Sequence, residues 1–304
     1  MNILVSGLLN IETTVAVRGF PINYYPIDYP FFGVDSAVSG VGFNLAKALT
    51  TLSDSVRLLS FLGNDDEGDR VMTQLGRDHL DADGVRHVLK RTPTSVVLYD
   101  PDGRRQIYCD LKDIQEQRIE PDSVSLSGLA AAAICNINFN RDLIKAVHAG
   151  GVLTATDVHV LESVEDDYNR DFMENADILF LSDERLPCPA EEFIRRLNDR
   201  YHNRIIVIGM GAKGAMLSER DTGKVYRLSA CRNIRVVNTV GAGDALFAAF
   251  LHFTAKRMDP VEALKRAQVF AAVKIGTDGA SKGFCSENEI EARLPSTDIS
   301  VKEL

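Results

Sequence analysis

VVNTVGAGDALFAAF, residues 236–250, is the stretch of the chain that decides its fold. A β-prone apolar run ends at Asn238, a turn of small residues follows, and an Ala- and Phe-rich segment begins at once. This order predicts a strand, a glycine loop and a buried helix. Gly241 and Gly243 permit backbone angles and a close ligand approach that other residues do not. The amide groups at the start of the helix favour an anion, so Asp244 fits either a base beside a phosphate or an N-terminal helix cap.

The composition is that of an ordinary globular protein. Its 304 residues suffice for one large α/β domain, or for a core with a small accessory piece. A net charge of −9 and a pI near 5.2 argue against a nucleic-acid or anionic-membrane partner. The five cysteines are scattered and never in C-x-x-C spacing, which predicts a reducing compartment and no zinc site. No targeting segment precedes the first predicted strand, and no apolar run approaches the ~20 residues of a membrane span. We therefore expect a cytoplasmic protein.

Regular alternation of strands and helices begins near Leu129 and predicts a mostly parallel sheet covered by helices. Nearer the N-terminus, the Pro-Asp-Gly turn at 101–103 predicts a hairpin, which could form a small sheet with the strand predicted at Thr13–Arg18. Residues 20–32 hold three prolines and six aromatics, which predicts an irregular flap over a substrate or a partner subunit. Asn10 and Glu12 follow the first buried strand, where open α/β sheets usually bind ligands.

Five short motifs, in order and spacing, resemble those of the ribokinase-like (PfkB) carbohydrate kinases over essentially the whole chain. Residues 39–44, SGVGFN, are similar to the family's Gly-Gly-x-Gly-x-Asn, and residues 63–68 to its Gly-x-Asp-x-x-Gly. Residues 211–214 resemble its Gly-x-x-Gly, residues 238–244 its Asp-Thr-x-Gly-Ala-Gly-Asp, and Gly279-Ala280 the pair that closes its adenine pocket. The resemblance implies an α/β three-layer sandwich with a mostly parallel central sheet. It also implies a single domain over 1–304, with a small β lid built from inserted segments at about 11–38 and 92–112.

The activity that the resemblance implies is transfer of the γ-phosphate of ATP to a hydroxyl of a sugar or nucleoside, with Mg²⁺. Asp244 would be the base, and the amides of Gly241, Ala242 and Gly243 would bind the transferred phosphoryl group. The matching sugar-binding positions are Asn10, Glu12, Ser39, Gly40, Asn44 and Asn138. The matching nucleotide positions are Ser182, Gly209, Gly211, Gly214, Thr239, Gln268 and Gly279. Asp183 and Glu184 would approach Mg²⁺ through water, and the lid could form a homodimer interface.

Several positions depart from the family's pattern. Asn238 replaces the first Asp of the signature, which bears on a monovalent-cation site. Ser182 and Arg185 replace the first and last residues of the family's Asn-x-x-Glu, which bears on metal handling. At the substrate end, Ser39 replaces a Gly, Val41 a Lys, Glu12 an Asp and Asn138 a Glu. These four changes predict a substrate other than ribose.

Four readings compete at this point. The leading one is an ATP-dependent kinase for a small sugar or sugar derivative, and a nucleoside kinase of the same family is its rival, favoured by the aromatic flap. A non-catalytic sugar or nucleotide sensor is the third, suggested by Asn238 and Arg185 and opposed by the intact Gly-Ala-Gly-Asp. A nicotinamide dehydrogenase is disfavoured, because no G-x-G-x-x-G follows the first strand.

Overall fold

A computed structural model describes residues 1–232, 236–277 and 279–304, and in these residues fourteen strands form two sheets. The strands are β1 (Asn2–Ser6), β2 (Asn10–Ala16), β3 (Val34–Ser39), β4 (Ser55–Gly63), β5 (Asp81–Leu89), β6 (Thr94–Tyr99), β7 (Arg105–Asp110), β8 (Ala131–Ile134), β9 (Leu153–Val160), β10 (Ile178–Ser182), β11 (Ile205–Gly209), β12 (Ala215–Glu219), β13 (Lys224–Leu228) and β14 (Val301–Glu303).

The central sheet has ten strands in the order β14-β13-β12-β11-β10-β9-β8-β1-β4-β5. Neighbours from β11 to β5 pair in parallel, whereas β12, β13 and β14 pair antiparallel beyond β11. Parallel strands buried on both faces read as continuous apolar runs, and Ile3-Leu4-Val5 in β1 is fully buried. The predicted mostly parallel sheet is confirmed.

Helices cover both faces of this sheet and complete the predicted three layers. They are α1 (Val41–Thr51), α2 (Asp66–Arg77), α3 (Arg141–Ala149), α4 (Arg170–Glu174), α5 (Ala190–Arg200), α6 (Ala242–Ala255), α7 (Pro260–Lys274) and α8 (Glu287–Arg293). The helices α1, α2, α6, α7 and α8 pack on one face, and α3, α4 and α5 on the other. The Phe180 ring of β10 lies 5.1 Å from that of Phe247 and 5.3 Å from that of Phe250, which anchors α6 on the sheet.

A second, smaller sheet has the order β3-β2-β6-β7, and we call it the small sheet. Strand β2 pairs antiparallel with β3 and parallel with β6, and β6 pairs antiparallel with β7 across the Pro-Asp-Gly turn. Residues 20–32, the predicted flap, contain no helix or strand and lead into β3. The small sheet therefore draws its strands from residues 10–39 and 94–110.

Two local predictions are wrong. The strand predicted at Val236–Asn238 is not formed; instead the amides of Val237 and Asn238 donate to the carbonyl of Ile275 at the end of α7, at 2.8 and 3.2 Å. The two amides that would have bonded to a neighbouring strand therefore bond to the end of a helix. The small residues at 39–44 predict a loop before a helix that starts at Leu45, but the helix begins at Val41, so Asn44 lies in its first turn. None of the helices in the described ranges combines the length and apolarity that a bilayer crossing requires.

Candidate active site

The two glycine motifs meet at the carboxyl edge of the central sheet. Helix α1 begins after Gly40, which has φ 104°, and α6 begins after Gly241, which has φ 78°. The Asn44 side-chain amide donates to the Asp244 carboxylate over 2.7 Å, although 200 residues separate them in sequence. The motifs at 39–44 and 238–244 therefore lie together in the fold.

Asp244 is not the N-cap of α6, so this alternative is wrong. The N-cap is Gly241, with no side-chain cap, and Asp244 lies three residues further on in the first turn. Its carboxylate accepts from Asn44 rather than from the helix backbone. A Cβ at Gly241 would overlap the Ala280 carbonyl oxygen, which explains the glycine in physical terms.

The start of α6 offers fewer free amides than predicted. The amide of Ala242 donates to the carbonyl of Thr239 at 3.2 Å. Within the described residues, the amides of Gly241 and Gly243 have no hydrogen-bond partner. Gly243 is exposed, and a Cβ there would meet nothing within 4 Å. An anion could thus approach Gly241 and Gly243 at the positive end of the helix dipole.

Two carboxyl groups face each other across the site. Burial raises the pKa of Asp244, and the hydrogen bond from Asn44 opposes the rise. Burial also raises the pKa of Glu12, and the charge of Asp244 adds to that rise. Lys274 lowers the pKa of both carboxyls; it is fully buried, and its Nζ donates to the Val240 carbonyl.

The predicted sugar-binding side chains gather around these carboxyls. Asn10 is buried and donates to the Ser95 hydroxyl over 2.8 Å, and Glu12 accepts a hydrogen bond from Ser39. The Oδ1 atoms of Asn10 and Asn44 are buried and have no partner among the described residues. Because unpaired buried acceptors are costly, these two atoms are well suited to hydroxyl donors of a ligand.

Asn138 is the exception in the predicted sugar-binding set. It lies in a short 3₁₀ helix, residues 138–140, after β8. Its side-chain oxygen accepts from Arg141 Nε over 2.8 Å, and its backbone amide donates to the side-chain oxygen of Gln115. Its side chain is thus already engaged on the α3 side of the sheet.

Four of the predicted nucleotide positions lie at the ends of β10 and β11. Ser182 and Gly209 are paired residues in these two strands, and Gly211 and Gly214 take φ 53° and 95° in the turn before β12. Gly279 has φ 84° and precedes Ala280, whose carbonyl lies against Gly241 at the start of α6. Gln268 on α7 is 7% exposed, and both polar atoms of its side chain lack a partner within the described chain. A polar ligand group could satisfy this buried amide.

The two predicted metal residues are already paired with cations. Asp183 lies 3.2 Å from Lys213, and Glu184 lies 3.6 Å from Arg105 of β7. In the described ranges, no three His, Cys, Asp or Glu side chains cluster closely enough to hold a metal ion. The side chains present therefore do not form a complete first coordination shell for Mg²⁺.

Sequence reasoning missed Asp157 and His159 at the carboxyl end of β9. The His159 ring lies 3.6 Å from the Asp157 carboxylate, and its backbone takes φ 60°. Both side chains influence Asp244: His159 lowers its pKa and Asp157 raises it. The signal was available, because the same reasoning, that ligands bind beyond the carboxyl ends of buried parallel strands, had selected Asn10 and Glu12.

Comparison with known proteins gives consistent findings. A family model described as pfkB family carbohydrate kinase matches residues 2–287. The acarbose 7(IV)-phosphotransferase of Actinoplanes sp. is 28% identical over 254 residues, which cover 82% of this chain and 84% of that protein. The ATP-dependent ribose-1-phosphate kinase of Halopiger xanaduensis is 27% identical over 248 residues, covering 79% and 81%. The solved structure of the microbiome-derived acarbose kinase Mak1 superposes with a TM-score of 0.83 at 23% identity, over 97% of this chain and 98% of that one.

Proposed function

Because the chain belongs to the pfkB family of carbohydrate kinases and is an ATP-dependent sugar kinase, we propose that Asp244 is its catalytic base. The observation that carries this role is the pairing of Asp244 with Asn44, which fixes a carboxylate of raised pKa where the two glycine motifs meet. A carboxylate with a raised pKa is a stronger proton acceptor than an ordinary Asp, which suits it to a hydroxyl proton.

The reaction at this site is an in-line displacement. The acceptor oxygen forms a bond to the γ-phosphorus, the bond from that phosphorus to the β,γ-bridging oxygen breaks, and ADP leaves. The hydroxyl proton passes to Asp244. The free amides of Gly241 and Gly243, at the N-terminus of α6, stabilise the charge on the phosphoryl oxygens.

The acceptor is a polyhydroxylated sugar or sugar derivative. The unpaired Oδ1 atoms of Asn10 and Asn44 accept from two of its hydroxyls, and Glu12 and Ser39 contact a third. The backbone of Gly40 lies at the same loop, where its φ of 104° excludes most side chains. Asn138 is the weakest member of this set, because Arg141 already holds its side-chain oxygen.

The nucleotide lies along the ends of β10 and β11. Gly211 and Gly214 bring the turn backbone close to it, Thr239 and Gly279 flank it, and Gln268 supplies amide contacts. Ser182 and Gly209 line the phosphate side. Mg²⁺ would reach Asp183 and Glu184 only through water while bound to the phosphates, which is its usual preference. A monovalent cation would bind weakly, because Asn238 offers a neutral oxygen that already accepts from the Val240 amide at 2.8 Å.

The small sheet acts as a lid over the acceptor and keeps water from taking the phosphoryl group. Its exposed flap also fits a homodimer interface, because large apolar side chains crowd residues 20–32. All five cysteines are free, which suits the reducing cytoplasm. The net charge of −9 gives no support to a nucleic-acid partner.

A coupled ATP-consumption screen tests this function. The purified protein, with ATP and Mg²⁺, is offered pentoses, hexoses, sugar acids, acarbose, ribose 1-phosphate and nucleosides. We expect ATP-dependent turnover of a polyol, with product mass increased by one phosphoryl group. Turnover of nucleosides alone would move the function to a nucleoside kinase. Silence on every compound, with clear thermal stabilisation by one of them, would instead indicate a non-catalytic sensor.

A further inference from the structure

Strand β7 turns one of its faces toward the substrate end of the site. Arg105, Ile107 and Cys109 alternate along this face, because successive side chains of a strand point to opposite sides. Residues 105 and 109 at its two ends both interact with Glu12: Arg105 lowers the pKa of Glu12, and Glu12 raises that of Cys109. The small sheet therefore presents the guanidinium group of Arg105 to the substrate end of the site.

Arg104 and Arg105 are adjacent but have different surroundings. Arg104 pairs with Asp100 at 2.7 Å within its own hairpin, and Asp100 is buried. Arg105 instead reaches out of the small sheet to Glu184 of the central domain, at 3.6 Å. The Arg105–Glu184 pair is long and its side chains are 36% and 61% exposed, so it is weak and readily exchanged.

The two partners of Arg105 mark the two ends of the reaction. Glu12 belongs to the acceptor end, and Glu184 follows β10 at the nucleotide end. The loops 39–44 and 238–244 contain no Lys or Arg, and Lys274 is held at the Val240 carbonyl behind the loop. A group passing from ATP to the acceptor would thus meet Arg105 of the small sheet on its open side.

We propose that Arg105 is a further catalytic residue, which leaves Glu184 and binds the phosphoryl group during its transfer. The planar guanidinium donates two parallel N–H bonds to non-bridging phosphoryl oxygens, a geometry that Lys cannot reproduce. Arg105 neither gains nor loses a proton; the hydroxyl proton still passes to Asp244, and ADP is the leaving group. Closure of the small sheet thereby completes the charge around the transferred group.

Three variants test this role, with Arg104→Ala as the matched control in the same hairpin. This role of Arg105 rests on the proposed active site. One of the two assays therefore measures binding alone, which does not depend on Asp244 as the base. For Arg105→Ala we expect kcat to fall by about 10²-fold or more with little change in KM, as for other groups that act only in the transition state. Arg105→Lys should recover about tenfold of that loss, because the charge remains without the fork. Arg104→Ala should keep kcat within about threefold, since its side chain pairs with Asp100 in the hairpin and with the Phe20 carbonyl in the flap.

The second assay measures binding of Mg²⁺ and ADP with and without aluminium fluoride, a phosphoryl mimic, by calorimetry. It is run with and without the acceptor found in the screen. Aluminium fluoride should tighten ADP binding to the wild type and to Arg104→Ala, but not to Arg105→Ala. Equal tightening in Arg105→Ala, or none in the wild type, would overturn the proposal. An effect of the variant confined to KM for an anionic acceptor would also overturn the proposal, because Arg105 would then bind the charge of the acceptor and not the transferred phosphoryl group. If Asp244→Asn turned over at the wild-type rate, Asp244 would not be the base. The effect of aluminium fluoride on ADP binding would still test Arg105 independently.

Discussion

At the scale of single residues, the proposed role of Asp244 as the base carries a cost in stability. Burial raises its pKa, so the folded state holds the proton more tightly than the unfolded state does. Its contribution to stability is therefore present at acid pH and is lost as pH rises through the folded-state pKa. The negative charge of the Asp244 carboxylate also raises the pKa of Glu12. Groups that stabilise a transition state often carry such a cost in the free enzyme.

Asp244→Asn should separate the two effects. The amide keeps an oxygen for Asn44 but cannot take the hydroxyl proton, so we expect turnover to fall by about 10²-fold or more. The free energy of unfolding at pH 7 should rise, with a melting temperature about 2 °C or more above the wild type. This gain should shrink as the pH is lowered toward 4. Thermal melts from pH 4 to 8 and the coupled assay measure both, and a less stable variant at pH 7 would contradict the account.

The residues that sequence reasoning found and missed differ in how they reach the site. Asn44 and Asp244 lie on motifs that adjoin helix starts, so their position follows from local structure. Arg105 reaches Glu184 only through the placement of one sheet on another, which no local pattern encodes. The engagement of Ala242 with Thr239 is also invisible in sequence, because it depends on how the chain enters α6.

At the scale of elements, strand and helix identities followed from periodicity, and the failures came where tertiary partners replaced local ones. The sequence predicts a helix over Arg141–Ala149, and α3 has these bounds, since an amphipathic stripe and the glycines that follow it define the helix. Val236–Asn238 has strand propensity, but its amides bond to the end of α7, so no ladder forms. Propensity is a weak guide wherever another element supplies the hydrogen bonds.

The turn into α6 offers a matched pair of glycine variants. Gly241→Ala places a side chain at φ 78° against the Ala280 carbonyl, so it should cost about 2 kcal/mol or more of unfolding free energy. Gly243→Ala meets open space inside the helix and should gain about 0.5–1 kcal/mol. Its new methyl group would nevertheless crowd a phosphate at the free amide, so activity should fall despite greater stability. Chemical denaturation and the coupled assay measure the two, and a fully active Gly243→Ala would place the phosphate elsewhere.

At the scale of the whole molecule, the central sheet buries its apolar residues on both faces, whereas the small sheet leaves many uncovered. Tyr24 is 88% exposed and Phe31 85% exposed, and both belong to the flap that enters β3. Strand β3 is also an edge of the small sheet, where Arg70 of α2 donates to the Ser36 carbonyl. Monomeric proteins rarely leave such apolar surface open beside a sheet edge, so a second copy of this chain is the occupant that fits.

Introducing charge into the flap should therefore dissociate the protein. We expect the wild type to sediment as a dimer at micromolar concentration, and a Phe31→Asp, Phe32→Asp double variant to sediment as a monomer. Val88→Asp is the control, because Val88 is 52% exposed on β5, at the far edge of the central sheet, and should leave the dimer intact. The double variant should remain folded, with an unchanged far-UV circular dichroism spectrum, since neither ring is buried within its own chain. If the flap is instead a monomer's cover for the acceptor, the wild type will sediment as a monomer and the double variant will raise KM alone.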